Sequence, residues 1–248
     1  MKISVCMASF NGSKYIESQI SSILKQLKDS DELIISDDGS TDGTIELIEL
    51  YKDNRIKLVH HIRNKIVRKK SYPHYLVSSN YENALKQVTG EVVFLADQDD
   101  IWVENKIAIM MPYFNKYSMV MSDCSVIDEN DLIVSNSFFN KIDLPRGLVL
   151  NISRPLYHGC CMAFKRSILD IALPFPKKTI LHDSWIGILS ENSGEVKFIE
   201  DKLVMYRRHF NNSSFSEGQS KNSLLFRFSY RIIFFFHVIK RSFLFKIH

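Results

Sequence analysis

Carboxylates crowd two short stretches of this chain. Asp97-Gln98-Asp99-Asp100 sets three acids in four residues, directly after the apolar run 92–96. A solvated turn in which Asp100 caps a helix starting near Trp102 accounts for one acid rather than three. Hard divalent cations such as Mg2+ or Mn2+ prefer oxygen ligands, are held through one or two carboxylates and complete their shell with substrate phosphates. A departing diphosphate gathers charge as its bond breaks and needs such neutralisation. The quartet therefore reads as a metal site. Asp37-Asp38-Gly39-Ser40-Thr41-Asp42-Gly43-Thr44 sets three further carboxylates around a glycine turn that opens a helix. Capping uses one of them. Asp37 and Asp38, adjacent at a strand end, repel each other unless one meets a donor or a cation. The ring N–H of a pyrimidine and the hydroxyls of a ribose are donors of that kind.

Two clusters in the second half are open to two readings each. In His182-Asp183-Ser184-Trp185, Asp183 is either a helix N-cap or a general base, which must lie within hydrogen-bond reach of the proton it removes. Trp185 would then supply an apolar platform for a sugar ring. Tyr206-Arg207-Arg208-His209 is either a surface turn or a phosphate clamp built on Arg207, with His209 as a third metal ligand.

The elements that must position these residues alternate between two periods. Apolar runs at 3–8, 32–36, 56–59 and 92–96 read as strands. Helical spacing follows the first two, through Ile16, Ile20, Ile23, Leu24 and Leu27, then Ile45, Leu47, Ile48, Leu50 and Tyr51. Residues 80–88 read as a helix closed by Gly90. Such alternation implies a mostly parallel sheet with helices on both faces, whose ligands bind beyond the carboxyl ends of the strands. Strands one, two and four end in Ser9-Phe10-Asn11-Gly12, Asp37–Thr41 and the Asp97–Asp100 quartet, so all three line one edge. Further strands are expected at 119–122, 160–164 and 202–206, a helix at 183–193 and a connection over 136–155. The organisation expected is one domain over 1–218, with a nucleotide half (1–100) and an acceptor half (101–218) sharing a sheet, and a tail over 219–248.

Composition agrees with a folded domain: 248 residues, 45% hydrophobic and 24% charged, exclude a disordered chain. The net charge of +4 is unevenly spread. From Asp201 onward nine Lys and Arg face two acids, leaving the preceding 200 residues near −3. Cys6, Cys124, Cys160 and Cys161 follow no CxxC spacing, and reduced, buried thiols in a cytoplasmic protein are expected. The N-terminus enters a strand without a signal-peptide pattern. The longest charge-free apolar run of the tail, 232–239, is far short of the ~20 residues a membrane span needs. Seven Phe between Leu224 and Ile247 interleave with Arg227, Arg231, Lys240, Arg241 and Lys246. The readings are a helix packed on the domain, a dimer contact, or a basic amphipathic helix lying in a membrane interface. The last is favoured, which places the protein peripherally on the inner face of the cell membrane. Nucleic acid is not an expected partner, because no recognised binding fold accompanies the basic residues.

In this order the clusters resemble the inverting family 2 glycosyltransferases of the GT-A fold, over roughly residues 2–212. His158-Gly159 through Phe164-Lys165-Arg166, with His182-Asp183-Ser184-Trp185 and Tyr206-Arg207-Arg208-His209, resemble the subgroup that includes bacterial rhamnosyltransferases of surface polysaccharide assembly. The resemblance implies that Asp38 accepts the N–H of uracil or thymine, with Ser9, Asn11 and Asp37 near the nucleoside. Asp97 approaches the ribose, and Asp99 binds a Mn2+ or Mg2+ ion bridging the diphosphate. Asp183 deprotonates the acceptor hydroxyl, and His158, Gly159 and His182 adjoin the acceptor. It also implies a UDP- or dTDP-sugar donor and a lipid-linked saccharide acceptor. This chain departs from the pattern in carrying His182 where the family usually has an acid, and Phe210 where many relatives have Gly. A nucleotidyltransferase and a non-catalytic nucleotide-sugar-binding protein are the alternatives: the first would need a basic glycine-rich loop near the N-terminus, the second would dispense with Asp183.

Overall fold

The computed structural model describes residues 1–62, 73–139, 156–176, 181–209 and 224–245. The basic run from Arg63 to Lys70, most of the expected 136–155 connection, Phe210, Asn211 and Asn212 lie outside the described residues.

A single nine-stranded sheet runs through both halves in the order β3-β2-β1-β4-β8-β6-β9-β5, with β7 beside β6. The first half supplies β1 (Ile3–Ser9), β2 (Glu32–Asp37), β3 (Ile56–His60) and β4 (Val92–Asp97), all mutually parallel. Helices α1 (Ile16–Leu24), α2 (Thr44–Leu50) and α3 (Pro73–Leu85) connect them. Central parallel strands bury both faces and so read as unbroken apolar runs: Val5, Cys6, Met7 and Val92 through Ala96 have no exposed surface. The register pairs Ser9 with Asp37 and Ala8 with Asp97, which brings the three polar clusters to one edge.

The second half completes the sheet with β6 (Met119–Ile127), β7 (Ile133–Ser135), β8 (Met162–Lys165) and β9 (Val196–Arg207). Strand β8 runs antiparallel to β4 and β6, while β9 runs parallel to β6 and ends antiparallel to β5 (Ile101–Trp102). The sheet is therefore mixed. Helices α4 (Lys106–Met110), α5 (Ile168–Ala172), α6 (His182–Ser193) and α7 (Leu224–Phe245) pack around it, and a 3-10 turn at Gly159–Cys161 leads into β8.

Several boundaries differ from the sequence expectations. Helix α3 starts at Pro73 and stops at Leu85, and Gly90 is not its cap. Gly90 donates to Ser4 Oγ at 2.8 Å, and any Cβ there would come within 2.6 Å of the Ser4 amide. The helix expected near Trp102 begins only at Lys106, because Ile101 and Trp102 are taken up as β5 by the end of β9.

The tail forms helix α7, and one face of it packs on the domain. Phe234 and Val238 are buried, with the Phe234 ring edge-on to Trp185 at 5.9 Å. Arg241, one of the basic residues interleaved with the tail's Phe, turns toward the domain. Its guanidinium donates to the carbonyls of Ile171 and Leu173, both at 2.9 Å, and to that of Pro174, filling acceptors left open where α5 ends. The outer face shows Ile232, Phe236 and Ile239 to solvent. No helix among the described residues is long and apolar enough to cross a membrane.

Candidate functional site

The ends of β1 and β2 are laced together by side chains. Asp37, fully buried, accepts the Gly39 and Ser40 amides on one oxygen and the Ser9 and Ser40 hydroxyls on the other. Gly39 and Gly43 adopt φ of +82° and +92°, the left-handed backbone that glycine tolerates without strain. Asn11 also lies at positive φ, and its side-chain oxygen accepts the Thr41 amide at 2.9 Å. Asp42 accepts the amides of Ser13 and Thr44 and the Thr44 hydroxyl. Partial burial works against its charge, but these bonds prevail and hold it down at about 2.

This lacing bears on two expectations. Asp37 and the Ser9 hydroxyl commit polar atoms to the turn, a structural role that the sequence reading did not assign them. Of the three acids in the turn, Asp38 is left as the ligand candidate. It stands on the edge of β2, with Oδ1 2.9 Å from His61 Nδ1.

The quartet after β4 divides its acids in the same way. Asp100 is buried, and its Oδ1 accepts the Arg207 amide at 2.9 Å. Burial, then Asp99 and Asp97, push it well above the carboxylate range. Asp97 accepts the Tyr81 hydroxyl at 2.6 Å. Burial and the nearby charge of Asp99 raise it to about 6, against the opposing pull of that hydrogen bond and of His158; Asp183 adds a smaller raising influence. Asp99 Oδ2 meets His209 Nε2 at 2.9 Å, and the His209 ring stacks on Tyr15 at 5.2 Å between centroids. A carboxylate oxygen and an imidazole nitrogen in contact are donors that a divalent cation accepts. Asp99 and His209 thus fit the expected ion.

Arg207 does something other than expected. Its side chain is 3% exposed. It donates to the Asp99 carbonyl at 2.8 Å, the Asp128 carbonyl at 3.1 Å and the Asp131 carboxylate, and its guanidinium lies 4.6 Å above the Tyr15 ring. It braces the quartet from behind, so the phosphate-clamp reading is withdrawn.

The acceptor-side residues gather around Asp97. His182 stacks on Tyr81 at 4.1 Å, and its amide donates to Ser78 Oγ. A Cβ on Gly159 would stand 3.1 Å from His182 Nε2 and 3.7 Å from Asp183 Cβ, so the 3-10 turn presses against the start of α6. The N-cap position of α6 is Leu181, not Asp183, whose Oδ1 accepts the Ser184 amide within the first turn. The capping reading of Asp183 therefore fails. Trp185 is also corrected: the ring has no exposed surface and its indole N–H donates to the Ala172 carbonyl at 2.9 Å. It is a core residue covered by α7, and no sugar can stack on it.

Sequence reasoning missed Tyr81, Tyr15 and His61. Tyr81 sits within the expected 80–88 helix, but nothing local shows which way its ring faces.

The comparisons with known proteins converge. The sequence model described as "Glycosyl transferase family 2" matches residues 4–171. A relative in Escherichia coli, UDP-Glc:alpha-D-GlcNAc-diphosphoundecaprenol beta-1,3-glucosyltransferase WfgD, is 27% identical over 224 residues, covering 88% of this chain and 81% of its own. Among solved structures, S. aureus TarS 1-349 in complex with UDP-GlcNAc superposes with a TM-score of 0.66 at 17% identity, over 96% of this chain and 72% of that one. The mannosyltransferase PcManGT from Pyrobaculum calidifontis, in complex with GDP-Man and Mn2+, superposes with a TM-score of 0.56 at 23% identity, over 81% of this chain and 54% of that one. The likeness to both is one of fold: a mixed sheet flanked by helices, of GT-A type.

Proposed function

This chain belongs to glycosyl transferase family 2, and on that premise we propose that it moves a sugar from a UDP- or dTDP-sugar to a lipid-linked saccharide, inverting the anomeric centre, in surface polysaccharide synthesis. The observation that carries the reading is the meeting of Asp97, Asp99, His209 and Asp183 from separate elements at the carboxyl edge of the sheet.

In this reading Asp38 accepts the N–H of the pyrimidine, and Asn11 frames the same pocket. Asp97, steadied by Tyr81, accepts a ribose hydroxyl. Asp99 and His209 hold the divalent ion, which when bound neutralises charge on the diphosphate. Asp183 takes the proton of the acceptor hydroxyl. The freed oxygen forms its bond to the anomeric carbon from the face opposite the nucleotide. The anomeric C–O bond to the diphosphate breaks as that bond forms, and the nucleoside diphosphate leaves with the electron pair. His158, Gly159 and His182 border the acceptor. The WfgD name, with its diphosphoundecaprenol acceptor and UDP-Glc donor, supports a lipid-linked acceptor and a uridine donor. TarS with UDP-GlcNAc and PcManGT with Mn2+ lend support to a nucleotide-sugar pocket and a metal on this fold. A cytoplasmic position at the inner membrane face follows from such an acceptor, with the exposed Ile232, Phe236 and Ile239 of α7 as the membrane contact.

The test is a panel of UDP- and dTDP-sugars incubated with Mn2+ or Mg2+, with and without a saccharide-diphosphate-lipid acceptor. Nucleoside diphosphate release that depends on acceptor, with an inverted product by NMR, is the expected result. Pyrophosphate chemistry in place of diphosphate release would make the protein a nucleotidyltransferase. Donor binding without turnover across the panel would make it a binding protein.

A further inference from the structure

Next to the acceptor-side residues, and sharing His158 with them, lies a second group of metal-ligating side chains. Cys124 comes from β6, while His158 and Cys161 flank the 3-10 turn that leads into β8. One sulfur from each cysteine and one imidazole nitrogen lie within 4.8 Å of one another. Both thiols are fully buried. His158 Nε2 is buried as well and has no hydrogen-bond partner among the described residues. The ring is held by its surroundings, stacked on Phe138 at 4.7 Å and edge-on to Tyr206 at 4.4 Å. The backbone fixes the ligands relative to one another. The Cys161 amide donates to the His158 carbonyl at 3.0 Å, and Asp123 accepts the Cys124 and Phe138 amides.

Buried Lys106 stands beside the cysteine cluster. Lys106 Nζ is anchored 2.7 Å from the Cys160 carbonyl.

We propose that Cys124, His158 and Cys161 form a binding site for a thiophilic divalent ion of the zinc class, separate from the Asp99–His209 pair. Zinc bound to thiolate and imidazole at ~2.3 and ~2.0 Å places ligand atoms about 3.4–3.8 Å apart. The three atoms therefore need to close by at most about 1.4 Å, a movement within the reach of the 3-10 turn. Cys160, its sulfur 3.9 Å from that of Cys161, is the nearest further donor. Ligand softness divides the two sites. The carboxylate of Asp99 suits Mg2+ or Mn2+, whereas two thiols and an imidazole select zinc-like ions. A bound ion would tie β6 to the turn that presses on His182 and Asp183, fixing the acceptor-side wall.

The experiment uses the full chain and metal readouts independent of transfer. Protein incubated with Zn2+ in excess Mg2+ is desalted and its metal counted, and a parallel Co2+ sample is read for thiolate-to-cobalt charge-transfer absorption. The expected result is one zinc per chain, a raised melting temperature and the charge-transfer band. Cys124→Ala and Cys161→Ser should weaken zinc at least tenfold and erase the band. Cys6→Ser, a buried thiol on β1, and Asp99→Ala should keep both. If Cys124→Ala does not fold, His158→Gln, altering a partly exposed ring, gives the same reading through the band. Zinc that the wild type does not retain, or that survives loss of Cys124, Cys161 or His158, or that departs with Asp99 instead, overturns the proposal.

Discussion

Arg207 separates two accounts of the site, and its replacement by Lys distinguishes them by size as well as direction. In the structure its guanidinium serves the Asp99 and Asp128 carbonyls, the Asp131 carboxylate and the face of Tyr15. A Lys ammonium can reach one of the two carbonyls, so one charge-assisted bond at a buried position is lost, about 1.5–3 kcal/mol. The cation stacking forfeited over Tyr15 adds about 0.5–1 kcal/mol. The Asp131 pair counts for at most about 1 kcal/mol, because that carboxylate is 64% exposed and screened. Arg207→Lys should therefore cost about 2–4 kcal/mol, and for a chain of this size each kcal/mol lowers Tm by about 2–4 °C. Differential scanning fluorimetry should show a fall of roughly 4–16 °C. Arg207→Met, which leaves both carbonyls unpaired, should fall further. Donor affinity, measured separately by equilibrium binding of nucleoside diphosphate, should change less than the affinity for Mn2+, since the Asp99 backbone loses its brace. A phosphate clamp predicts the reverse. Tm held within about 1 °C of wild type, with donor KM raised tenfold, would refute the brace.

Asp99→Ala should abolish transfer while leaving the melting temperature level or higher, because it relieves the charge that raises Asp97; metal titration by calorimetry should show the high-affinity site gone. Asp183→Asn should keep nucleoside diphosphate and metal binding but lower kcat by about 10²–10⁴, the usual contribution of a general base; wild-type turnover would remove Asp183 from the mechanism. Deletion of residues 224–248 strips the cover from Trp185 and the partner from the α5 carbonyls, so it should lower Tm as well as vesicle binding. Phe236→Ser, on the exposed face, should weaken sedimentation with anionic vesicles without moving Tm.

The parallel half of the fold was legible because buried parallel strands announce themselves as apolar runs, and each of the first, second and fourth ends in a polar cluster. That was enough to bring Asp38, Asp97 and Asp99 to one edge. The errors share a cause: they concern residues whose partners come from far along the chain. Trp185 looked like a platform because Phe234, which covers it, lies on a helix some fifty residues further along the chain. Arg207 looked like a clamp because the Asp128–Asp131 hairpin beneath it gives no signal at position 207. Asp37 is different, since its turn-building bonds are local, and the Gly39 and Ser40 amides that claim it were within reach of sequence reasoning about turns.

The last strand has a consequence for when the protein becomes active. The strands β1 to β4 lie next to one another in space and within the first 97 residues of the chain, and domains tend to form from the N-terminus as synthesis proceeds. Asp97 finds Tyr81 within that half, but the partners of Asp99 and Asp100 arrive with the end of β9. Until then Asp100 Oδ1 lacks the Arg207 amide, the Asp99 carbonyl lacks the Arg207 guanidinium, and Asp99 lacks His209. A nascent chain that has not yet reached the end of β9 thus holds Asp99 and Asp100 without these partners. In the proposed reading, chemical competence waits for that last stretch of β9 and the residues just after it.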